Sequence, residues 1–272
     1  MKPVSFLSDF GLEDEFVGVV HGVIATLAPD VRVIDVTHGV PRGGVRAGAL
    51  SLMRAIPYLP DGVALAVVDP GVGTNRRAIA AETEWGYFVG PDNGLLSPAV
   101  AMVGGATRVV SLDNHEARIP SPGRTFAGRD VFGPAAALLA SGQMPFEDLG
   151  TPVDPDSLVP QLLPLPEEDG GGLIAAAWWT DRYGNVQTNA SADDLGLLGL
   201  REGSTVDVKI GSRVRSLRWV GTYGEGAPGQ LILHVDSYGL IALATVEGSA
   251  AEELGIEDER PIRFSPPTSA AT

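Results

Sequence analysis

Short apolar runs separated by segments of helical period dominate the first half of the chain. Val4–Ser8, Val31–Val36, Val63–Val68, Gly86–Val89 and Thr107–Leu112 are mostly rich in Val and Ile and show little polar alternation. Strands covered on both faces read this way. Between the first two runs, Phe16, Val19, Val20, Val23, Ile24 and Leu27 recur at helical spacing, and Pro29 follows to end the helix. Further helices are expected from Arg46 to Ala55 and from Gly133 to Leu139, with Gly142 beyond the latter. Alternating strands and helices predict an α/β fold, a mostly parallel sheet with helices on both faces.

From Thr151 the pattern changes. Pro152, Pro155, Pro160, Pro164 and Pro166 lead into Glu167-Glu168-Asp169 and three glycines, a composition suited to an extended linker over 151–172. Residues 1–150 are therefore expected to form an α/β domain. Residues 173–272 are expected to form a smaller β-rich domain. Its strands are expected at Leu173–Thr180, Thr205–Ile210, Arg213–Val220, Leu231–Val235 and Leu240–Val246, in an antiparallel barrel or sandwich.

Composition removes several kinds of chemistry. With no cysteine, the chain has no disulfide, thiolate metal site or Cys nucleophile. A net charge of −15 with no basic block argues against a nucleic-acid partner. No apolar run approaches the roughly 20 residues of a membrane helix, and the N-terminus lacks the pattern of a signal peptide. A cytoplasmic location is the expectation. The four histidines, His21, His38, His115 and His234, show no metal-ligand spacing. His21 reads as structural, and His38 as the one nearest a strand-end rim.

Ligands of open α/β sheets bind beyond the carboxyl ends of the strands. Asp9 closes the first strand in Ser8-Asp9-Phe10-Gly11, and Asp69 closes the third in Asp69-Pro70-Gly71-Val72-Gly73-Thr74. Asp92 and Asn93 follow the fourth in Pro91-Asp92-Asn93-Gly94, where an ordinary turn is the favoured explanation. Asp69 is different. Glycines allow close backbone approach beside it, and Arg76 and Arg77 supply counter-charge. There is no phosphate-binding Gly-Lys-Ser/Thr motif, no Gly-rich turn after the first strand and no Gly-x-Ser-x-Gly elbow.

These segments, with Asp35-Val36-Thr37-His38, Gly128-Arg129-Asp130, Asp181-Arg182-Tyr183-Gly184-Asn185-Val186 and Gly248-Ser249-Ala250-Ala251, occur in an order that resembles one family. It is the S-adenosyl-L-methionine hydroxide adenosyltransferases, or SAM hydrolases, related to the fluorinases and chlorinases. The resemblance implies attack of water or hydroxide at the ribose 5′-carbon, giving adenosine and L-methionine. S-adenosylmethionine is then the substrate, with no cofactor and no metal. It further implies that Asp69 and Arg76 flank the water, and that Asp9 accepts the ribose hydroxyls. By the same resemblance Phe126, Asp181, Tyr183, Asn185, Tyr223, Ser237 and Glu247 contact the rest of the ligand, in a homotrimer with its site between subunits.

One position departs from the family pattern. The hydrolases carry His before Gly-Arg-Asp, and here Ala127 stands there. Alanine cannot hydrogen-bond a water. Position 127 is either a natural variation or a side chain removed to trap substrate. Two alternatives of another kind stay open: a protein that binds S-adenosylmethionine or adenosine without turnover, and a metal-dependent hydrolase built on Asp9, Asp69, Asp92 and His38.

Overall fold

The computed structural model describes residues 1–256 and 260–267. The chain divides into two compact units, Met1–Leu162 and Leu163–Thr272. In the first unit the elements run β1 (Val4–Ser8), α1 (Phe16–Leu27), β2 (Val33–Thr37), α2 (Val45–Ala55), β3 (Val63–Val67), β4 (Ala78–Glu82), β5 (Tyr87–Pro91), α3 (Ser97–Met102), β6 (Arg108–Ser111), α4 (Gly133–Ser141) and β7 (Thr151–Val153). The sheet order is β2-β1-β3-β5-β4-β6-β7. β2, β1, β3 and β5 are parallel neighbours, whereas β4 runs antiparallel to both β5 and β6.

Side-chain alternation along the central strands shows why these runs are apolar throughout. Val63, Leu65 and Val67 face a core shared with Val20 and Ile24 of α1 and Ala136 of α4. Ala64, Ala66 and Val68 face the opposite core, with Leu52 of α2 and Ala99 of α3. Both faces are therefore covered by helices. Fully burying a side chain such as Phe6 is worth about 1.5–3 kcal/mol relative to leaving it exposed. Among the described residues, no helix is long and apolar enough to cross a membrane.

In the second unit the elements are β8 (Glu167–Asp169), β9 (Gly172–Thr180), β10 (Val186–Ser191), α5 (Ala192–Gly196), β11 (Thr205–Ile210), β12 (Arg213–Trp219), β13 (Leu231–Val235), β14 (Leu240–Thr245), α6 (Ala250–Leu254) and β15 (Pro261–Ser265). Seven strands close on themselves in the order β10-β14-β13-β12-β11-β15-β9 and back to β10, with β8 added to β9. The pairings are antiparallel except β12 with β13. Val206, Val208 and Ile210 alternate into the barrel core, as a period of two requires.

The segment 151–172 is more structured than its proline content suggests. Thr151–Val153 pairs with β6 of the first unit, and Glu167–Asp169 pairs with β9 of the second. Proline is tolerated in β7 because this strand is the edge of its sheet.

Candidate active site

β1 and β3 are adjacent and parallel, with Ser8 level with Val67, so their carboxyl ends open on the same rim. Asp9 and Asp69 follow those ends directly. Both line a cleft of about 60 Å³, together with Phe10, Val72, Phe126 and Ala127. The first two predicted carboxylates and the substituted position 127 thus share one wall system.

Arg76 grips Asp69 through a fork. Its Nε donates to Oδ1 at 2.8 Å and to Oδ2 at 2.9 Å, and its Nη2 also donates to Oδ2. A two-pronged contact of this kind fixes the carboxylate's plane as well as its position. The Asp69 side chain is only 5% exposed and that of Arg76 only 16%. The guanidinium lies over the buried Phe132 ring, 5.2 Å from its centroid. Thr74 caps the intervening loop by donating to Gly71 O at 2.6 Å.

Asp9 accepts the Gly43 N–H on Oδ2 at 2.7 Å, which uses part of its acceptor capacity. Opposite, Gly128–Phe132 forms a single π-helical turn whose first flanking residue is Ala127. Such turns are rare and are found often at functional sites. At Gly128 a Cβ would sit 3.0 Å from the Phe10 ring, so the close packing of this turn on Phe10 favours glycine. Phe126 packs edge-on against Phe10 and Phe16, at 5.8 and 5.0 Å between centroids. Arg129 pairs with Asp130 at 2.6 Å and covers the Phe126 ring. The Ala127 side chain, a methyl group, offers the cleft no hydrogen-bonding atom.

Asp92 and Asn93 hold a turn. The Asp92 carboxylate is taken by Arg77 Nε at 2.7 Å and Val159 N–H at 2.9 Å. Asn93 donates to Val68 O at 2.9 Å and accepts from Leu95 N–H. His38 is buried and points to Ser8 and Asp35. The four residues of the metal-hydrolase alternative are therefore not brought together. Among the described residues, the one group with metal-ligand proximity is His21, Asp35 and His38. Spacing along the sequence had concealed it, since His21 lies on α1, fourteen residues before Asp35.

In the second unit, Asp181 shapes its own loop. Its Oδ1 accepts the N–H groups of Tyr183 and Asn185 at 2.8 and 2.9 Å, and its Oδ2 accepts Asn185 Nδ2 at 2.8 Å. Asp236 builds the same turn: its Oδ1 accepts Tyr238 N–H at 2.8 Å and Leu240 N–H at 3.0 Å. Gly184 and Gly239 both sit at φ 83°. Asp181-Arg182-Tyr183-Gly184 and Asp236-Ser237-Tyr238-Gly239 are thus twin turns, and each exposes its tyrosine. Tyr238 stands on the second turn as Tyr183 does on the first, and the repeated Asp-x-Tyr-Gly marks the pair in the sequence. Ser237 is exposed on the second turn.

Asn185 Nδ2 reaches Tyr223 Oη at 3.4 Å, and the Tyr223 ring lies 4.8 Å from that of His234. Burial, followed by the carboxylates of Asp181 and Asp236, pushes the Tyr223 hydroxyl above its ordinary pKa. Glu247 is exposed, and among the described residues it is the non-glycine residue held at left-handed φ, 57°. That conformation is uncommon for glutamate and turns the backbone sharply after β14.

A family model described as the SAM hydroxide adenosyltransferase N-terminal domain matches residues 4–150, and one for the C-terminal domain matches residues 176–263. A Salinispora tropica protein named (R)-S-adenosyl-L-methionine hydrolase is 47% identical, over 93% of this chain and 94% of the relative. A Thermus thermophilus protein of the same name is 44% identical, over 97% of this chain and all of the relative. A solved structure described as an uncharacterized conserved protein from Thermotoga maritima superposes with a TM-score of 0.89 at 33% identity, covering 96% and 99% of the two chains. On these matches, spanning both units, the chain belongs to the SAM hydroxide adenosyltransferase family.

Proposed function

We propose that this protein hydrolyses S-adenosyl-L-methionine by directing water at the ribose 5′-carbon, releasing adenosine and L-methionine. The observation that carries the reading is the forked pair of Asp69 and Arg76 at the strand-end cleft. The relatives' shared name supports the substrate. In the reaction an O–C5′ bond forms as the C5′–S bond breaks, and the sulfonium leaves as a neutral thioether. Methionine is a good leaving group, so the protein's work is to place the water in line and accept its proton. Asp69, oriented by Arg76, is assigned that role.

Asp9 is assigned to the ribose hydroxyls, with Phe126 beside them. In the second unit Asp181, Asn185 and Ser237 are assigned to the methionine or ribose groups, and Tyr183 and Tyr223 to the adenine. Asp181 contributes chiefly by shaping its turn, because its carboxylate is largely occupied there. The strained Glu247 backbone is assigned to the adenine edge, and the same reading includes a homotrimer, which light scattering would report. Ala127 favours a second reading, a protein that holds S-adenosylmethionine and turns it over slowly, if at all.

Incubation with S-adenosylmethionine in concentrated chloride tests the nucleophile. Arg76 is committed to Asp69, and the adjoining carboxylate repels halide, so adenosine is the expected product. If 5′-chloro-5′-deoxyadenosine were the main product, the assignment of water would be wrong. Asp9→Ala is expected to weaken adenosine binding by roughly 1.5–3 kcal/mol per lost charged hydrogen bond. Calorimetry reads the loss, and a melting curve checks that freeing Gly43 N–H has not unfolded the rim. Unchanged affinity would move the ribose site elsewhere.

A further inference from the structure

We propose that His21, Asp35 and His38 bind one divalent transition-metal ion, with zinc the best match to the donors, at a site distinct from the Asp69 cleft. The three residues come from α1, from β2 and from the residue just beyond β2. β2 is the edge strand of its sheet. His21 Nε2 lies 2.8 Å from Asp35 Oδ1, and His38 Nε2 lies 3.0 Å from the same oxygen. All three donor atoms fall within 4.8 Å of one another.

The state of His38 points to a ligand. Its side chain is 3% exposed. Its ring packs edge-on against Phe6, 4.6 Å between centroids, and its Nδ1 is held by Ser8 Oγ at 2.7 Å. Ser8 Oγ also accepts the Phe10 N–H at 3.3 Å. The ring is therefore locked, with Nε2 turned toward Asp35. Nε2 pairs with Asp35 Oδ1 but makes no well-aligned hydrogen bond. At 3.0 Å the separation is short enough, so it is the direction that misses the carboxylate. A buried imidazole nitrogen set off-line against a carboxylate oxygen, with a second imidazole on that same oxygen, is the arrangement a cation completes.

The dimensions suit that ion. Zinc binds imidazole nitrogen and carboxylate oxygen at about 2.0–2.2 Å, which puts tetrahedral donors roughly 3.3–3.5 Å apart. The required adjustments fall on His21 and Asp35, whose side chains are 35% and 45% exposed. The same exposure leaves room for water as a fourth ligand. Two nitrogens and an oxygen, with no thiolate, favour zinc over soft ions and over calcium or magnesium. The Ser8 contact on the far nitrogen of His38 is the outer partner that orients a ligating imidazole.

None of the three ligands lines the Asp69 cleft. The ion is accordingly a brace that ties α1 and β2 to the end of β1, next to Asp9. This inference does not rest on the proposed hydrolysis.

The test uses the full chain with any affinity tag removed and bound metal stripped by chelator, followed by titration with zinc chloride in a calorimeter. Cobalt absorption spectra give a second readout of coordination. One zinc per chain is expected, with a rise in melting temperature. His21→Ala and Asp35→Asn, both partly exposed positions that should leave the fold intact, are each expected to lose roughly 100-fold or more in affinity, since even outer partners are worth 10–100-fold. Asp69→Asn is expected to bind zinc like the parent protein. The proposal is overturned if the parent chain takes up zinc no more tightly than His21→Ala. It is equally overturned if binding survives both ligand substitutions.

Discussion

Asp69→Asn is expected to slow single-turnover release of adenosine by about 10²–10⁴-fold, the usual contribution of a positioned general base. The amide keeps the size of the carboxylate but cannot accept a proton from water. It also leaves the Arg76 fork facing an amide nitrogen on one side, where two donors meet. Breaking a buried ion pair by removing one partner can itself cost roughly 3–5 kcal/mol of stability. A melting curve must therefore accompany the kinetics, and the rate is compared only below the lower transition. A rate within threefold of the parent would remove Asp69 from the chemistry.

Ala127→His is expected to act in the opposite direction, speeding turnover by about 10²-fold if the imidazole works as an acid or base. Position 127 lines the same cleft as Asp69 and is only half-buried, so a ring has space to enter. Substrate affinity should change little, because Asp9 and the second unit's residues are untouched. Single-turnover rates and separately measured affinity distinguish the two effects. Equal rates in both proteins would mean that Asp69 and Arg76 alone organise the water.

Much of this framework is readable from the chain because the signals are local. β3 announces itself by covering both faces with apolar side chains, and Asp9 and Asp69 then stand where strand ends must lie. β4 was not expected. Its residues Ala78–Glu82 are mostly alanine, a weak strand former, and pairing with β5 and β6 overrides that preference. β10 hid for another reason: Gln187, Thr188 and Asn189 are polar yet buried. Their partners are distant in sequence. Thr188 donates to Ile241 O at 2.8 Å, and Asn189 accepts Ala176 N–H and donates to Pro164 O, both at 2.8 Å. A polar strand satisfied only by tertiary contacts reads as a loop until its neighbours are known.

The site divides along the same line. The Asp69 and Arg76 pair lies within one loop, seven residues apart, and was legible as a carboxylate with its counter-charge. At Asp92 the turn favoured from the sequence is what forms, but the partners that hold it, Arg77 and the Val159 backbone, were not legible, since Val159 is 67 residues away. The His21, Asp35 and His38 group was invisible for the related reason that a helix and an edge strand must first pack.

Turnover of S-adenosylmethionine in ¹⁸O-labelled water tests the central claim most directly. Attack of water at the ribose 5′-carbon places the heavy oxygen in the 5′-hydroxyl of adenosine and leaves methionine unlabelled. Mass spectrometry of the two products reads the outcome, using Ala127→His if the parent is too slow to accumulate them. Labelled adenosine with unlabelled methionine is the predicted result. Unlabelled adenosine, or 5′-methylthioadenosine accompanied by a labelled amino acid, would contradict it.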